Sequence, residues 1–171
     1  APSLRSVWAS GVLSLGRKQG VTSEEIKKAL FRRYGDPRQY LYFEECPVGT
    51  GWKGSRYLDA FVIAAWPSAN NARYCFEIKT SRADFLNEIK KPEKRRMGLF
   101  FSNYFYFVTP KGLVKTEEIP PECGLMELSD SGLRVTVEAP LRESLRPSWN
   151  FVAALLRRGV TTRKEDAKEG S

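Results

Sequence analysis

The short stretch Tyr74-Cys75-Phe76-Glu77-Ile78-Lys79 constrains the fold more than any other, because it has the composition of a buried strand and yet carries two charges. Side chains alternate between the two faces of a strand. Glu77 and Lys79 therefore share one face, roughly 6–7 Å apart along the strand, while Phe76 and Ile78 face a core. Such a charge pair is explained either by a salt bridge at the end of a sheet or by a functional site.

A second apolar run, residues 56–66, precedes this strand, and its only acidic residue is Asp59. The segment that separates the runs, residues 66–72, contains a proline and two asparagines, which are typical of a turn. We therefore predict that the two runs pair as a hairpin. This pairing would bring Asp59 close to Glu77 and Lys79.

Two converging carboxylates beside a lysine predict a specific chemistry. Carboxylate oxygens are the ligands that Mg²⁺ and Mn²⁺ prefer, and a neighbouring lysine can orient a water molecule and neutralise phosphate charge. The trio therefore favours hydrolysis of phosphodiester bonds. The chain contains no histidine, which excludes Ser-His-Asp and Cys-His nucleophiles and histidine-ligated zinc.

The motif also resembles a known family. Asp59 followed, after seventeen residues, by Glu77-Ile78-Lys79 is similar to the pattern of the PD-(D/E)XK nuclease superfamily. The continuation Thr80-Ser81-Arg82-Ala83-Asp84-Phe85-Leu86 resembles the MmcB-like branch, which is associated with DNA repair. The similarity extends over about residues 40–128. Leu58 stands where the motif has proline, a change that should affect the turn rather than the ligand.

The resemblance implies a fold and an activity. The expected fold class is α/β (mixed α+β), with a restriction-endonuclease-like core in which helices flank a central mixed sheet. The expected activity is metal-dependent hydrolysis of DNA, as an endonuclease or an exonuclease, in repair or recombination. Asp59, Glu77 and the carbonyl of Ile78 would hold Mg²⁺ or Mn²⁺, and Lys79 would position the attacking water. DNA, rather than RNA, comes from the resemblance alone.

Four further acidic residues are considered for the same site. In the MmcB-like pattern an acidic residue lies on the strand before the one with the catalytic Asp, and Glu45 is the best match, with Glu44 as the adjacent alternative. Both are equally explained as solubilising charges on an edge strand. Glu24 and Glu25 lie on the first core helix, where the superfamily often carries an acidic residue, but a capping box with Thr22 explains Glu25.

Basic residues indicate a polyanionic partner. The chain has 28 Lys and Arg against 20 Asp and Glu, a formal charge of +8. The densest cluster is Lys90, Lys91, Lys94, Arg95 and Arg96. Arg82 would add positive potential at a helix N-terminus beside Lys79, and Lys53 and Arg56 lie on a glycine-rich loop that could cover a nucleic-acid backbone. A solvated surface is the other interpretation of each charge.

The pattern also predicts the remaining elements. Helices are expected over residues 4–17, from the Thr22 cap to about Tyr34, from the Ser81 cap to Pro92, and from residues 147–149 to just before Gly159. Strands are expected over residues 40–46, and an aromatic strand region over residues 99–108. Residues 125–128 and 133–137 are expected to form a hairpin at the edge.

Length and composition predict a single domain over residues 1–159 and a polar, disordered tail over residues 160–171. No apolar run is long enough to cross a bilayer, so we expect a cytoplasmic protein with no membrane partner. The sequence leaves open whether the protein forms a homodimer or binds a repair protein. The rival function is a non-catalytic nucleic-acid-binding module on the same fold, and a third interpretation treats the charges as a structural salt bridge.

Overall fold

The computed structural model describes residues 20–48 and 56–169, with side chains as far as Gly159. The predicted helix over residues 4–17 and most of the glycine-rich loop, including Lys53, lie outside the described residues. The helices are α1 (Ser23–Tyr34), α2 (Arg82–Lys90), α3 (Arg96–Phe101) and α4 (Trp149–Glu169). The strands are β1 (Tyr40–Pro47), β2 (Tyr57–Ala64), β3 (Arg73–Ile78), β4 (Tyr104–Pro110), β5 (Gly124–Ser129) and β6 (Gly132–Val137).

The six strands form one mixed sheet in the order β1-β2-β3-β4-β5-β6. The pairs β3–β4 and β4–β5 are parallel, and the other three pairs are antiparallel. Helices α2 and α3 lie in the connection between the parallel strands β3 and β4, as parallel pairing requires a crossover. The predicted fold class, a mixed α/β fold with a central mixed sheet flanked by helices, is confirmed.

Each face of the sheet buries its own apolar cluster. On one face, Ile26 and Leu30 of α1 pack against alternate residues of the strands, including Phe76 and Ile78. On the other face, Phe85 of α2, Phe101 of α3 and Phe151 of α4 form the second cluster. The central strands are therefore covered on both sides, which is why β2 and β4 are apolar along most of their length.

The predicted hairpin of β2 and β3 is confirmed as an antiparallel pair. Its turn contains a 3₁₀ segment, Pro67–Ala69, followed by Asn70 and Asn71 with φ of 55° and 44°. Asparagine tolerates this left-handed region better than most residues. The Thr22–Glu25 capping box is also present at the start of α1.

The predicted aromatic strand over residues 99–108 is wrong in its first part. Leu99 to Phe101 belong to helix α3, and the strand begins at Tyr104. The hydroxyl of Ser102 donates to the Gly98 carbonyl at 2.6 Å and closes the helix. A short apolar run fits a buried helix as well as a buried strand, so the pattern alone could not separate them.

The predicted edge hairpin of residues 125–128 and 133–137 is confirmed, because β5 and β6 pair antiparallel and β6 is the last strand of the sheet, while β5 also pairs in parallel with β4. One other boundary differs from the prediction. Helix α4 does not end before Gly159 but continues to Glu169, so the polar stretch predicted to be disordered begins inside this helix. One glycine costs a helix only about 1 kcal/mol, which is too little to end it. Among the described helices, none is long and apolar enough to cross a membrane.

Two glycines in helices give a paired test of the packing. A Cβ at Gly98 would lie 2.8 Å from Phe105 and 2.9 Å from the Cys75 sulfur, whereas at Gly159 the nearest neighbour, Phe43, is at 3.4 Å. We expect Gly98→Ala to lower the free energy of unfolding by about 1–3 kcal/mol through overpacking. Gly159→Ala should raise it by up to about 1 kcal/mol. Urea denaturation measures both, and equal effects would contradict the close packing of α3.

Candidate functional site

Asp59 lies at the point where strands β2 and β3 separate. The paired residues of these strands run from Ile63–Arg73 to Ala60–Phe76, and Asp59 follows the last pair. Its Oδ2 accepts a hydrogen bond of 2.7 Å from the backbone N–H of Ile78. A side-chain carboxylate thus replaces a backbone carbonyl in the ladder and satisfies a donor that the separation would leave unpaired.

The carbonyl of Ile78 faces the same gap. The N–H of Lys79 donates to the Val108 carbonyl at 3.0 Å, on the side of β4. The N–H and C=O of one strand residue point to the same edge, and those of the next residue point to the other. Because the Ile78 N–H binds Asp59, its carbonyl is also directed toward β2. The described backbone therefore brings Asp59 close to the Ile78 carbonyl, which the family resemblance predicts to be a metal ligand.

Glu77 and Lys79 share one face, as the alternation predicted, and they form an ion pair with 2.7 Å between Oε1 and Nζ. Both side chains are mostly buried, at 19% and 14% exposure. A second carboxylate, Glu88 of α2, lies 3.5 Å from the same Nζ and is 4% exposed. Lys79 therefore lies between two buried carboxylates.

Glu88 is the residue of this site that the sequence reasoning missed. It follows Phe85 by three positions, so the two share the inward face of α2. A carboxylate at a position where the helical period expects an apolar residue is the signal that could have found it.

The electrostatics reflect burial and crowding. Burial raises the pKa of the Asp59 carboxyl above its ordinary value, against the Ile78 hydrogen bond, which lowers it. Burial, followed by the charge of Asp59, raises the pKa of Glu77 to about 7. Burial by itself would lower the pKa of Lys79, but Glu77 and Glu88 outweigh it and raise it. Lys79 is therefore an ammonium at neutral pH.

Glu45 lies near Asp59 but is engaged with two cations. Its carboxylate is 2.9 Å from Lys27 of α1 and 3.3 Å from Arg158 of α4, and the side chain is 55% exposed. Its φ of 48° is unusual for a residue other than glycine inside a strand. Glu45 therefore links α1 and α4 across β1.

Of the other acidic candidates, Glu44 and Glu25 have local partners and Glu24 is exposed. Glu44 accepts a hydrogen bond of 2.9 Å from the hydroxyl of Tyr42. Glu25 closes the cap of α1, and Glu24 is exposed in the first turn.

The predicted basic residues divide into paired and exposed groups. Arg82 forms a bidentate pair with Glu118, at 2.7 and 2.5 Å. Arg95 is buried, with its Nη2 3.1 Å from Glu122 and its Nη1 3.3 Å from the Glu88 carbonyl. The exposed group consists of Arg56, Lys90, Lys91, Lys94 and Arg96. Arg95 is therefore not part of the exposed basic face, although it lines the same cavity as Lys79 and Lys94, and a phosphate contact of Arg95 stays a prediction.

The oxygen atoms of this site are of the kind that Mg²⁺ and Mn²⁺ bind, but few of them come from the protein. Among residues 20–48 and 56–159, no group of three or more acidic, cysteine or histidine side chains is arranged to hold a metal ion. Magnesium, however, is usually held by one or two carboxylates together with water and substrate phosphate. Asp59, Glu77 and the Ile78 carbonyl supply that kind of incomplete, oxygen-only set.

The raised pKa of Glu77 predicts how stability depends on pH without metal. A carboxyl whose pKa is about 7 when folded and 4.5 ordinarily binds its proton more tightly in the folded state. The free energy of unfolding should therefore fall as pH rises through this interval. Glu77→Gln removes that contribution, so its melting temperature in EDTA should fall less over the same interval than that of the parent. Glu143→Gln, an exposed control, should follow the parent, and an unchanged slope for Glu77→Gln would contradict the prediction.

Substitutions at Arg95 and at its neighbour Arg96 distinguish a cation that stabilises the fold from one that lies on the surface. Arg95→Met removes the cation paired with Glu122 and one of the two donors to the Glu88 carbonyl, so we expect a loss of about 1–3 kcal/mol in the free energy of unfolding. Arg96→Met changes an exposed side chain and should alter stability by no more than about 0.5 kcal/mol. Thermal denaturation of the two variants measures the difference. A loss in Arg96→Met as large as that in Arg95→Met would refute the assignment.

A solved structure has a similar fold: SPO1766, a protein of unknown function from Silicibacter pomeroyi. The TM-score is 0.57, with 16% sequence identity, over 85% of this chain and 88% of that protein. No family model and no curated protein matches the chain. At this identity the likeness shows the fold alone, so the function rests on the geometry of the site.

Proposed function

We propose that the protein is a metal-dependent deoxyribonuclease of the PD-(D/E)XK superfamily, closest to the MmcB-like branch, that hydrolyses phosphodiester bonds in DNA. The observation that carries the proposal is the position of Asp59. It lies at the separation of β2 and β3, bound to the Ile78 N–H at 2.7 Å, beside the strand that carries Glu77 and Lys79. This arrangement supports the role that the motif assigns to each of the three side chains.

Asp59, Glu77 and the Ile78 carbonyl are the groups that would hold Mg²⁺ or Mn²⁺. The bound cation supplies charge stabilisation at the phosphate and lowers the pKa of bound water. Crowding supports a cation here, since the proximity of the two carboxylates contributes to the raised pKa of Glu77. Glu77 is paired with Lys79, so it would bind the metal ion by dividing its carboxylate oxygens between the ion and that ammonium. Glu88 also lies beside Lys79, so the ammonium keeps a carboxylate neighbour when Glu77 binds the ion.

Lys79 acts as a hydrogen-bond donor in this proposal. Because its neighbours raise its pKa, it stays protonated and cannot accept a proton at neutral pH. Its ammonium instead orients the attacking water or a phosphate oxygen and stabilises the negative charge that develops in the transition state. Its position is held by two carboxylates from different elements, Glu77 of β3 and Glu88 of α2.

Nucleic acid as the substrate is supported by charge. The chain carries a formal charge of +8, and the exposed lysines and arginine that follow α2 lie close in sequence to Glu88 and Arg95. Contacts of such residues with phosphates release counterions and give binding that weakens with salt. The choice of DNA over RNA, and a role in repair or recombination, rest on the family resemblance.

The test is cleavage of labelled DNA by the purified protein. Mg²⁺ or Mn²⁺ should support cleavage, EDTA should abolish it, and Ca²⁺ should support binding with little turnover because it takes the same oxygen ligands in a looser geometry. Asp59→Asn keeps the Ile78 hydrogen bond and removes the ligand charge. We expect it to reduce cleavage by roughly a hundredfold or more, with DNA affinity unchanged or higher because one repulsion with phosphate is lost.

Asp84→Asn is the matched control, since Asp84 lies in the exposed first turn of α2. It should cleave DNA as the parent does. Activity that survives chelation, or an Asp59→Asn variant with parental activity, would refute the proposal. Salt-dependent DNA binding by a parent that never cleaves would instead support the non-catalytic binding module.

A further inference from the structure

An open cavity of about 250 Å³ lies beside the candidate site. Its lining includes Glu77, Lys79 and Glu88 of the charged centre, and it also includes Arg56, Tyr57 and Lys94. The cavity therefore extends from the charged centre to the start of β2 and to the segment after α2. The ion pairs of Lys79 with Glu77 and Glu88 would not by themselves require a cavity beside them.

Two cations of this cavity differ from the others in their partners. Lys79 is paired with Glu77 and Glu88. Among the described residues, Arg56 and Lys94 form no ion pair with a carboxylate. Arg56 donates from Nη1 to the Glu93 carbonyl at 2.9 Å, which fixes the guanidinium without neutralising its charge. The opening is thus bordered by two positive charges that no carboxylate of residues 20–48 or 56–159 pairs with.

An aromatic ring lies between Arg56 and the candidate metal ligand Asp59 in sequence. Tyr57 is 56% exposed and precedes Asp59 by two residues. Its backbone is fixed, because it pairs with Pro47 at the end of the β1–β2 ladder. Nucleic-acid grooves for single strands combine cations for the phosphates with exposed rings on which bases stack.

We propose that this cavity binds one unpaired DNA nucleotide next to the phosphate to be cleaved. Tyr57 stacks on its base, and Arg56 and Lys94 contact its phosphate. The volume, close to the lower end of the roughly 300–1,000 Å³ of ligand pockets, suits a group of about the size of one nucleotide better than a length of duplex. The inference rests on the proposed function and names its substrate class: DNA with an unpaired segment at the cleavage point.

The test compares a fluorescein-labelled oligothymidylate with a blunt hairpin duplex that has no unpaired end, by anisotropy in Ca²⁺. The parent should bind the single strand about tenfold or more tightly than the duplex. Tyr57→Ala should weaken single-strand binding by roughly tenfold, as expected for loss of one stacked base, and change duplex binding by less than about twofold. Tyr57→Phe keeps the ring and should bind like the parent.

Trp66→Ala controls for a general loss of exposed aromatic surface. Trp66 is 60% exposed and precedes the β2–β3 turn, at the end of the hairpin opposite Asp59 and Ile78. It should leave single-strand affinity unchanged. Melting temperatures of all variants establish that they are folded, and Lys94→Gln should lower single-strand affinity and its dependence on salt.

The outcomes separate the two proposals. If the parent cleaves DNA with Mg²⁺ but prefers the duplex, or if Tyr57→Ala binds the single strand like the parent, the nucleotide site is refuted and the nuclease stands. If the parent neither binds nor cleaves DNA, both are refuted. Loss of single-strand affinity in Tyr57→Ala, with retention in Tyr57→Phe and Trp66→Ala, supports the site.

Discussion

The hydrogen bond from the Ile78 N–H to Asp59 is the interaction on which the candidate site depends. Two paired strands normally satisfy each other's backbone groups, and strands that separate leave donors without partners. Here the carboxylate takes that donor at 2.7 Å, so the sheet can open between β2 and β3 without an unsatisfied N–H. The same bond fixes Asp59 beside Glu77 and directs the Ile78 carbonyl into the opening.

Around this opening the protein maintains an uneven balance of buried charge. Asp59, Glu77 and Glu88 all act on the ammonium of Lys79, and the negative charges of Asp59 and Glu88 contribute to the raised pKa of Glu77. Arg95 binds the Glu88 carbonyl and Glu122, and so connects α2 to the loop before β5. Buried charges of this kind are costly unless they are paired.

Local sequence patterns predicted the elements whose structure depends on near neighbours. The Thr22–Glu25 cap, the turn with Asn70 and Asn71, and the antiparallel hairpin all follow from interactions within a few residues. Sequence patterns gave the wrong element where packing between residues distant in sequence decides the structure. The apolar run at Leu99 is helical, and Gly98 of the same helix lets α3 approach Cys75 of β3 and Phe105 of β4 closely.

The sequence by itself determined that Glu77 and Lys79 share a face and that Asp59 lies on a neighbouring strand, because alternation along a strand and a short turn are local rules. Only the tertiary structure decided the partners. It brought Glu88 to Lys79 from another element, buried Arg95 against Glu122, and paired Glu45 with Lys27 and Arg158. Which charges meet depends on how helices pack on the sheet, and side-chain spacing along the chain carries no information about contacts between elements so far apart.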